Sequence, residues 1–261
     1  MTEAGSNTRR MALGRTIRAV GSADFMPSLM LYLAEVTPFQ GCLLLLLDGT
    51  APPRHIYDDV RAERRTVVID RYLDGAYLLD PFFTHYRQGG DPGAFRLRDV
   101  APDRFQQSTY HKTYYRSIRL VDEAAILSPL PDGRTVFTSI GRREDAKRFS
   151  RRDIARFQDM LPIYDALLAQ HFSHPRQDLE PDDLPRDIDE VLVTFDSPAL
   201  TRRERDIAAL ILKGHSTASI AVIAGIAEGT VKIHRKNIYR KLGISSQGEL
   251  FSLFLSRLGR R

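Results

Sequence analysis

The stretch from Gly229 to Gly243 (GTVKIHRKNIYRKLG) has the residue types and spacing to bind a polyanion. At helical spacing, Val231, Ile238 and Leu242 fall on one side, which suits packing. A basic helix face can contact nucleic acid, but a solvated surface helix has the same composition, so this helix alone leaves both interpretations open. The cationic side carries Lys232, Ile233, Lys236 and Arg240.

The residues before this stretch favour nucleic acid. The run SIAVIAGI (219–226) predicts a short helix, which either Ser216 or Thr217 can cap. Gly225 permits a tight turn, and Glu228 begins the next helix. A helix, a turn of about three or four residues and a basic second helix form a helix-turn-helix, whose second helix enters the DNA major groove.

A third helix is predicted upstream, in the run LTRRERDIAALILKG. Thr201 and Glu204 form a capping box at its start, and Gly214 closes it where a left-handed residue is expected. Its apolar stripe complements the other two helices, so the three predict a small all-α core.

Residues 200–255 resemble the LuxR-type DNA-binding domain, which is also found in the NarL and FixJ regulators. The match extends over about 55 residues at fixed spacing, which makes it far more specific than a short motif. The matching residues are Leu200, Thr201, Arg203, Glu204, Gly214, Ser216, Ile220, Ala221, Ile226, Thr230, Val231, Lys232, His234, Asn237, Ile238, Tyr239, Lys241, Leu242 and Gly243.

The resemblance implies that Lys232, Ile233 and Lys236 face base edges. Lysine can donate to guanine O6 and N7, and an aliphatic side chain can meet a thymine methyl group. Phosphate contacts hold the register without reading sequence, and the residues implied for them are Thr230, Arg235, Thr217 and Arg240.

Several residues depart from the family pattern, among them Ala224, where Leu is usual, and Ser246 and Gln247, near which a basic residue is common. Thr217 stands where Asn is usual, and threonine is also a good cap and phosphate donor. Ala227 stands where Ser usually begins the recognition helix, and an alanine there forfeits about 1 kcal/mol and one hydroxyl.

Charge is distributed unevenly along the chain, whose net charge is +5. Residues 199–261 carry 12 Lys and Arg against 4 Asp and Glu, which would attract phosphates. A single cysteine, Cys42, excludes an internal disulfide and a cysteine-based zinc cluster. With no signal peptide and no membrane-length apolar run, we expect a cytoplasmic protein without membrane, metal or cofactor requirements. No catalytic motif is visible, so we expect no enzymatic activity.

Residues 11–172 predict an α/β sandwich, an antiparallel sheet with flanking helices, as in GAF, PAS and autoinducer-binding domains. The run CLLLLLD (42–48) suits a central strand, and residues 123–130 and 134–141 predict a hairpin. Residues 150–172 predict a long amphipathic helix that Ser150 and Asp153 open. Residues 1–10 are predicted to be a disordered tail, because they are polar.

The segment from Tyr72 to Pro81 is similar to the ligand-pocket helices of acyl-homoserine-lactone receptors. This implies a pocket in which Tyr72 and Asp80 are polar contacts. The chain lacks tryptophan, so a divergent solo receptor for another small molecule is indicated. Core packing and, for Asp80, a helix cap are the competing explanations. The predicted ligand-binding residues are Tyr72, Tyr77, Asp80, Phe83 and Phe95.

Residues 173–198 are predicted to be an acidic linker to a DNA-binding domain at 199–261, with VLVTF (191–195) docking on one domain. The last helix resembles one that pairs such domains in a dimer. We therefore expect a transcriptional regulator that binds double-stranded DNA as a homodimer under control of a small-molecule effector, with RNA polymerase as a further candidate partner. The alternative is a constitutive or partner-controlled regulator whose N-terminal domain serves only dimerisation.

Overall fold

The computed structural model describes residues 3–143, 145–173, 188–193 and 200–258. The chain divides into two compact units that are each discontinuous in sequence. The first unit contains Met1–Val60, Gly90–Asp99 and Leu120–Asp182, and the second contains Arg61–Gly89, Val100–Arg119 and Asp183–Arg261. The predicted boundaries 11–172, 173–198 and 199–261 stay a prediction, because most of the linker lies outside the described residues.

The first unit contains a five-stranded antiparallel sheet, as the sequence predicted. Its spatial order is β2-β1-β5-β4-β3, so the leucine-rich β1 is an interior strand with antiparallel partners on both sides. The predicted hairpin is β4 and β5, which pair from Leu120↔Arg143 to Pro129↔Thr135. The strands are β1 Gly41–Leu47, β2 Arg54–Asp58, β3 Gly93–Arg96, β4 Leu120–Pro129 and β5 Thr135–Arg143.

Three helices supply the core of the first unit: α1 Glu3–Ala19, α2 Phe25–Val36 and α7 Arg151–Phe172. Every second residue of the strands, such as Leu44 and Ile126, packs its side chain against the buried side chains of these helices. This alternation arises because successive residues of a strand point to opposite faces. The predicted capping box of α7 is present. The Ser150 hydroxyl accepts a hydrogen bond from the Asp153 backbone N–H, and the Asp153 carboxylate accepts one from the Ser150 N–H.

The predicted disordered tail over residues 1–10 was wrong for the described part, because α1 already begins at Glu3. The prediction relied on polarity. Packing against α2 stabilises α1 as a helix. The helix can then extend into its polar N-terminal residues at low cost, because each added residue gains a hydrogen bond without new nucleation.

The second unit is helical throughout its described residues. Its N-terminal part consists of short, irregular helices, including two π-helical turns at Thr66–Asp70 and His111–Tyr115. The 3₁₀ turns are Ala62–Arg64, Ala76–Leu79 and Phe105–Gln107, and the α-helical pieces are α3 Arg71–Leu73, α4 Pro81–Arg87 and α6 Arg116–Ile118; α5, Leu97–Val100, links the units. Its C-terminal part consists of α8 Ile188–Val193, α9 Arg202–Lys213, α10 Thr217–Ala224, α11 Glu228–Leu242 and α12 Gln247–Leu258.

Among the described residues, no helix combines the length and the apolar character that a bilayer crossing requires.

Candidate functional site

The helix-turn-helix is formed by α10 and α11, as the sequence predicted. Gly214 ends α9 with φ 96°, and Gly225 ends α10 with φ 64°; both angles lie in the left-handed region that favours glycine. Of the two candidate caps of α10, Ser216 is the N-cap, because its hydroxyl accepts a hydrogen bond from the Ser219 backbone N–H at 3.1 Å.

A buried apolar core holds α11 in place. Val231 and Ile238 point inward from α11, and they are almost completely inaccessible to solvent. The short helix α8 packs on α9 and α12 and contributes Val191 and Leu192 to buried positions. The remaining buried residues of this core are Leu200, Ile207, Ala208, Ile211, Leu212, Ile220, Leu250, Phe251 and Phe254.

Glu204 completes the predicted capping box of α9 and also contacts α11. Its carboxylate accepts a hydrogen bond from the Thr201 backbone N–H at 2.8 Å, which completes the capping box. It also pairs with the Lys241 Nζ at 2.6 Å and so ties α9 to α11. Burial alone would raise the pKa of Glu204, but the hydrogen bonds from Lys241 and Thr201 outweigh burial and hold the pKa below its ordinary value.

The side of α11 opposite the core is open to solvent. We call Lys232, Ile233, Lys236 and Arg240 the basic face of α11; all four are exposed. Ile233 is 61% exposed, so its apolar side chain is accessible between the charged ones. The other predicted phosphate contacts, Thr230, Arg235 and Thr217, are half-buried. Which of these seven residues contact bases or phosphates stays a prediction.

The start of α11 lacks a side-chain cap, as the sequence predicted. Ala227 is the N-cap and makes no capping hydrogen bond through its side chain. By contrast, α9 and α10 both begin with a hydroxyl cap. The first backbone N–H groups of α11 therefore rely on solvent or on an external acceptor.

Tyr72 and Asp80 lie together in the N-terminal part of the second unit. The Tyr72 hydroxyl donates a hydrogen bond to Asp80 Oδ2 at 2.8 Å, and the Phe82 backbone N–H donates to Asp80 Oδ1 at 2.7 Å. Asp80 is therefore both the cap of α4 and the partner of Tyr72. Pro81 occupies the first position of α4, where a missing N–H costs nothing.

The rings around this pair form a continuous series, which we call the aromatic cluster. Tyr77 meets Phe83 edge-on, with ring centroids 4.9 Å apart, and Tyr72 lies 6.2 Å from Tyr77. Both distances suit favourable aromatic pairs. The cluster consists of Phe83, Tyr77, Tyr72, Tyr114, Tyr110 and Phe105.

Tyr110, Tyr114 and Phe105 were not among the predicted ligand-binding residues. Tyr114 lies 5.9 Å from Tyr72 and stacks on Tyr110 at 5.4 Å, while Phe105 lies 6.0 Å from Tyr110. The Tyr114 hydroxyl also donates to the Val68 carbonyl at 2.7 Å and so joins the two π-helical turns. The high tyrosine content of residues 108–117 (STYHKTYYRS) was the only sequence feature that could have indicated these residues. It could not show which of the rings contact Tyr72.

Burial changes the acidity of the Tyr72–Asp80 pair. Burial raises the pKa of Asp80 to about 6, although the hydrogen bonds from Tyr72 and the Phe82 backbone oppose this shift. Burial also raises the pKa of Tyr72 well above its ordinary value, and the nearby Asp80 carboxylate adds to the effect. Tyr72 is therefore a neutral hydrogen-bond donor, and Asp80 an acceptor that is mostly ionised near pH 7.

Phe95 lies in the first unit, on β3, where it pairs with Ala125 of β4. It is half-buried. Its neighbour Ala94 points into the helix-covered core, so Phe95 points to the opposite face of the sheet. The structure thus brings four of the five predicted ligand-binding residues together in the second unit, and Phe95 is placed on the sheet.

Among the residues that the structure describes, no group of three or more His, Cys, Asp or Glu side chains could hold a metal ion. Cys42 is buried, and burial raises the pKa of its thiol far above the ordinary value, with the charge of Asp59 adding to the shift.

Comparisons with known proteins agree with this architecture. Residues 198–254 match the family model of bacterial regulatory proteins of the luxR family. A putative HTH-type transcriptional regulator in the exeN 3' region of Aeromonas salmonicida is 33% identical over 186 residues, which are 69% of this chain and 94% of that protein. The putative HTH-type regulator y4qH of Sinorhizobium fredii is 35% identical over 180 residues, which are 68% of this chain but 49% of that protein.

One solved structure is similar to the N-terminal part of the chain. It is the LBD domain of VqsR from Pseudomonas aeruginosa, with 26% sequence identity and a TM-score of 0.56. The similarity covers 64% of this chain and 98% of that domain.

Proposed function

The chain belongs to the luxR family of bacterial regulatory proteins and is a transcriptional regulator, and we propose that α11 reads DNA while the aromatic cluster binds a small-molecule effector. The open basic face of α11, held by a closed apolar core, is the observation that supports the first part. The similarity to a domain described as an LBD supports the second part.

Readout of DNA is assigned to the first three turns of α11. Lys232 and Lys236 are one turn apart and exposed, so both can reach base edges in one major groove. Ile233 lies between them and offers an apolar surface to a thymine methyl group. Thr230, Arg235, Thr217 and Arg240 contact phosphates and set the register.

Dimerisation would place two copies of α11 on half-sites about one helical turn apart. The predicted pairing element is α12, but Leu250 and Phe254 are already buried within the second unit. Leu253 is half-buried and remains for contact with a second copy. RNA polymerase is the proposed partner of the DNA-bound dimer.

The effector that suits the aromatic cluster is small and mostly apolar, with a single N–H or O–H donor. Tyrosine and phenylalanine rings would contact its apolar surface, and Asp80 would accept the hydrogen bond. The alternative, a constitutive or partner-controlled regulator, is supported by one observation: Asp80 already accepts hydrogen bonds from Tyr72 and Phe82, as it would in a filled core.

The DNA-reading assignment is tested with duplexes selected in vitro by the full chain. We expect Lys232→Ala or Lys236→Ala to weaken binding to the selected duplex by about 1–3 kcal/mol, measured by fluorescence anisotropy at fixed salt. Lys147→Ala removes the same charge from an exposed position in the first unit and should change affinity little. Unchanged affinity in both α11 variants would refute the assignment.

Effector binding is tested by native mass spectrometry of the full chain. A retained compound, released on denaturation and reduced in a Phe83→Ala variant, would support the proposed effector site. An empty dimer that binds the selected duplex with full affinity would favour the constitutive alternative.

A further inference from the structure

A loop of the second unit reaches the helix-turn-helix at the start of α10. Asp103 Oδ1 accepts a hydrogen bond from the Ser216 backbone N–H at 3.1 Å, although the two residues are 113 positions apart. Hydrogen bonding with the Ser216 side chain and backbone N–H lowers the pKa of Asp103. Asp103 therefore binds the α10 terminus as an anion.

The same loop packs closely against the turn before α10. Gly214 is buried, and a Cβ atom at this position would lie 3.1 Å from Phe105 Cα and 3.0 Å from Ser108 Cβ. Such contacts are tighter than ordinary van der Waals contacts, so the loop backbone lies directly on the turn. We call residues 101–108 the Asp103 segment.

The position that Asp103 occupies also suits a DNA phosphate. The first backbone N–H groups of a helix lack intrahelical acceptors, and the helix dipole favours an anion there. Thr217, the first residue of α10, is a predicted phosphate contact and lies next to Ser216. A carboxylate and a phosphate cannot occupy one N–H group together, so Asp103 and the DNA backbone would compete.

The Asp103 segment is also continuous with the aromatic cluster. Phe105 belongs to the segment and to the cluster, and its ring lies 6.0 Å from that of Tyr110. Ser108 caps the following turn, because its hydroxyl accepts a hydrogen bond from the His111 backbone N–H at 3.1 Å. A shift of the rings around Tyr72 would therefore move Phe105 and, with it, Asp103.

We propose that the Asp103 segment is an autoinhibitory element, in which the Asp103 carboxylate holds the phosphate position at the α10 N-terminus until the segment leaves. This inference rests on the proposed DNA-binding function. Rearrangement of the aromatic cluster releases the segment, and the DNA backbone then takes its place.

The proposal is tested with the full chain and a fluorescein-labelled duplex selected in vitro. We expect Asp103→Asn, which keeps the shape but removes the charge, to tighten binding by roughly three- to tenfold in anisotropy titrations at fixed salt. Gln106→Lys makes the same change in net charge at an exposed position of the same segment. It should change affinity less than twofold, because the Asp103 contact remains.

Three outcomes overturn the inference. If the wild type binds the duplex and Asp103→Asn binds it equally well, autoinhibition fails while the proposed function stands. If Gln106→Lys tightens binding as much as Asp103→Asn, the effect is general electrostatics. If neither the wild type nor Asp103→Asn binds DNA, the proposed function fails together with the inference.

Hydrogen exchange provides a second readout that does not depend on substitution. In the wild-type chain, addition of the selected duplex should increase exchange of the amides in residues 101–108, because the segment leaves α10. Lasting protection of these amides in the DNA-bound chain would contradict the proposal.

Discussion

The basic face of α11 and the aromatic cluster lie in the same unit but are constructed in opposite ways. The basic face is exposed on a regular helix of 15 residues. The aromatic cluster is buried on short α, 3₁₀ and π turns, fixed by individual hydrogen bonds such as Tyr72 to Asp80 and Tyr114 to Val68. An exposed DNA-binding surface needs only a rigid helix beneath it, whereas a buried binding site is part of the core itself.

Because of this difference, DNA binding and stability should respond to substitutions at different residues. Substitutions on the basic face should change DNA binding and leave the fold intact, because exposed side chains contribute little to packing. Substitutions in or beside the aromatic cluster should change both the core and the proposed effector site, because the same side chains serve each.

The largest expected effect tests this separation directly. Phe82→Ala removes a fully buried ring beside Asp80 and should lower the free energy of unfolding by about 3–5 kcal/mol, measured by urea denaturation. Lys236→Ala, on the basic face, should change it by less than about 0.5 kcal/mol. Equal losses in the two variants would remove the contrast between the regions.

A second effect concerns pH. The pKa of Asp80 is about 6 in the folded chain and 3.8 in the unfolded chain, so the folded state binds the proton more tightly. Its stabilising contribution is complete below about pH 4 and is lost as pH rises through about 6. A shift of about two pKa units corresponds to a loss of at most about 3 kcal/mol in the free energy of unfolding.

Asp80→Asn is the matched variant for this measurement. The unfolding free energy of the wild type should fall relative to that of Asp80→Asn as pH rises from about 4 to about 7. Parallel stability curves for the two proteins across this range would show that Asp80 does not carry a raised pKa.

A smaller effect is expected at the scaffold of the basic face. Glu204→Ala removes the acceptor of the Thr201 N–H in the α9 capping box and the partner of Lys241, and should cost about 2 kcal/mol at pH 7. Because the pKa of Glu204 is lowered on folding, this stabilisation is present above the unfolded pKa and is lost as pH falls through the folded one. Chemical denaturation at pH 7 and pH 3 measures both values.

The control for Glu204 is Glu35→Ala, which removes an exposed carboxylate from the last turn of α2. It should change stability by less than about 0.5 kcal/mol. A Glu204→Ala loss no greater than that of Glu35→Ala would show that the cap and ion pair contribute nothing measurable.

The smallest effect refines the description of α11 itself. Ala227→Ser supplies the missing N-cap hydroxyl and should raise stability by about 1 kcal/mol, measured as an increase in the urea midpoint. Ala218→Ser places the same side chain at the second residue of α10, which is not the N-cap position, and should give no increase. A gain from Ala218→Ser as large as that from Ala227→Ser would argue against capping as the cause.

The regular elements were predictable because each has a local signal. Thr201, Ser150 and Gly225 mark helix ends through their own backbone geometry or hydrogen bonds, and the structure places each as predicted. The hairpin of β4 and β5 was likewise evident from two extended runs around Gly133. The polar start of α1 was mispredicted, because its helix depends on packing further along the chain.

The aromatic cluster was only partly predictable. Tyr72 and Asp80 were identified from a resemblance and do meet, and Asp80 also caps α4. Its role in ligand binding stays a prediction. The ring of Tyr114 also lies beside that of Tyr72, which the resemblance did not indicate. Nothing in residue spacing specifies which turn of an irregular helix will meet which ring.

The sequence by itself determined the helix-turn-helix, the antiparallel sheet and the basic face of α11. Caps, turns and apolar periodicity act within a few residues of one another, so they can be recognised along the chain. Only the tertiary structure decided that Asp103 meets Ser216 and that Phe105 joins the aromatic cluster to Gly214. These contacts join residues more than a hundred positions apart, and their energy comes from packing that exists only in the folded chain.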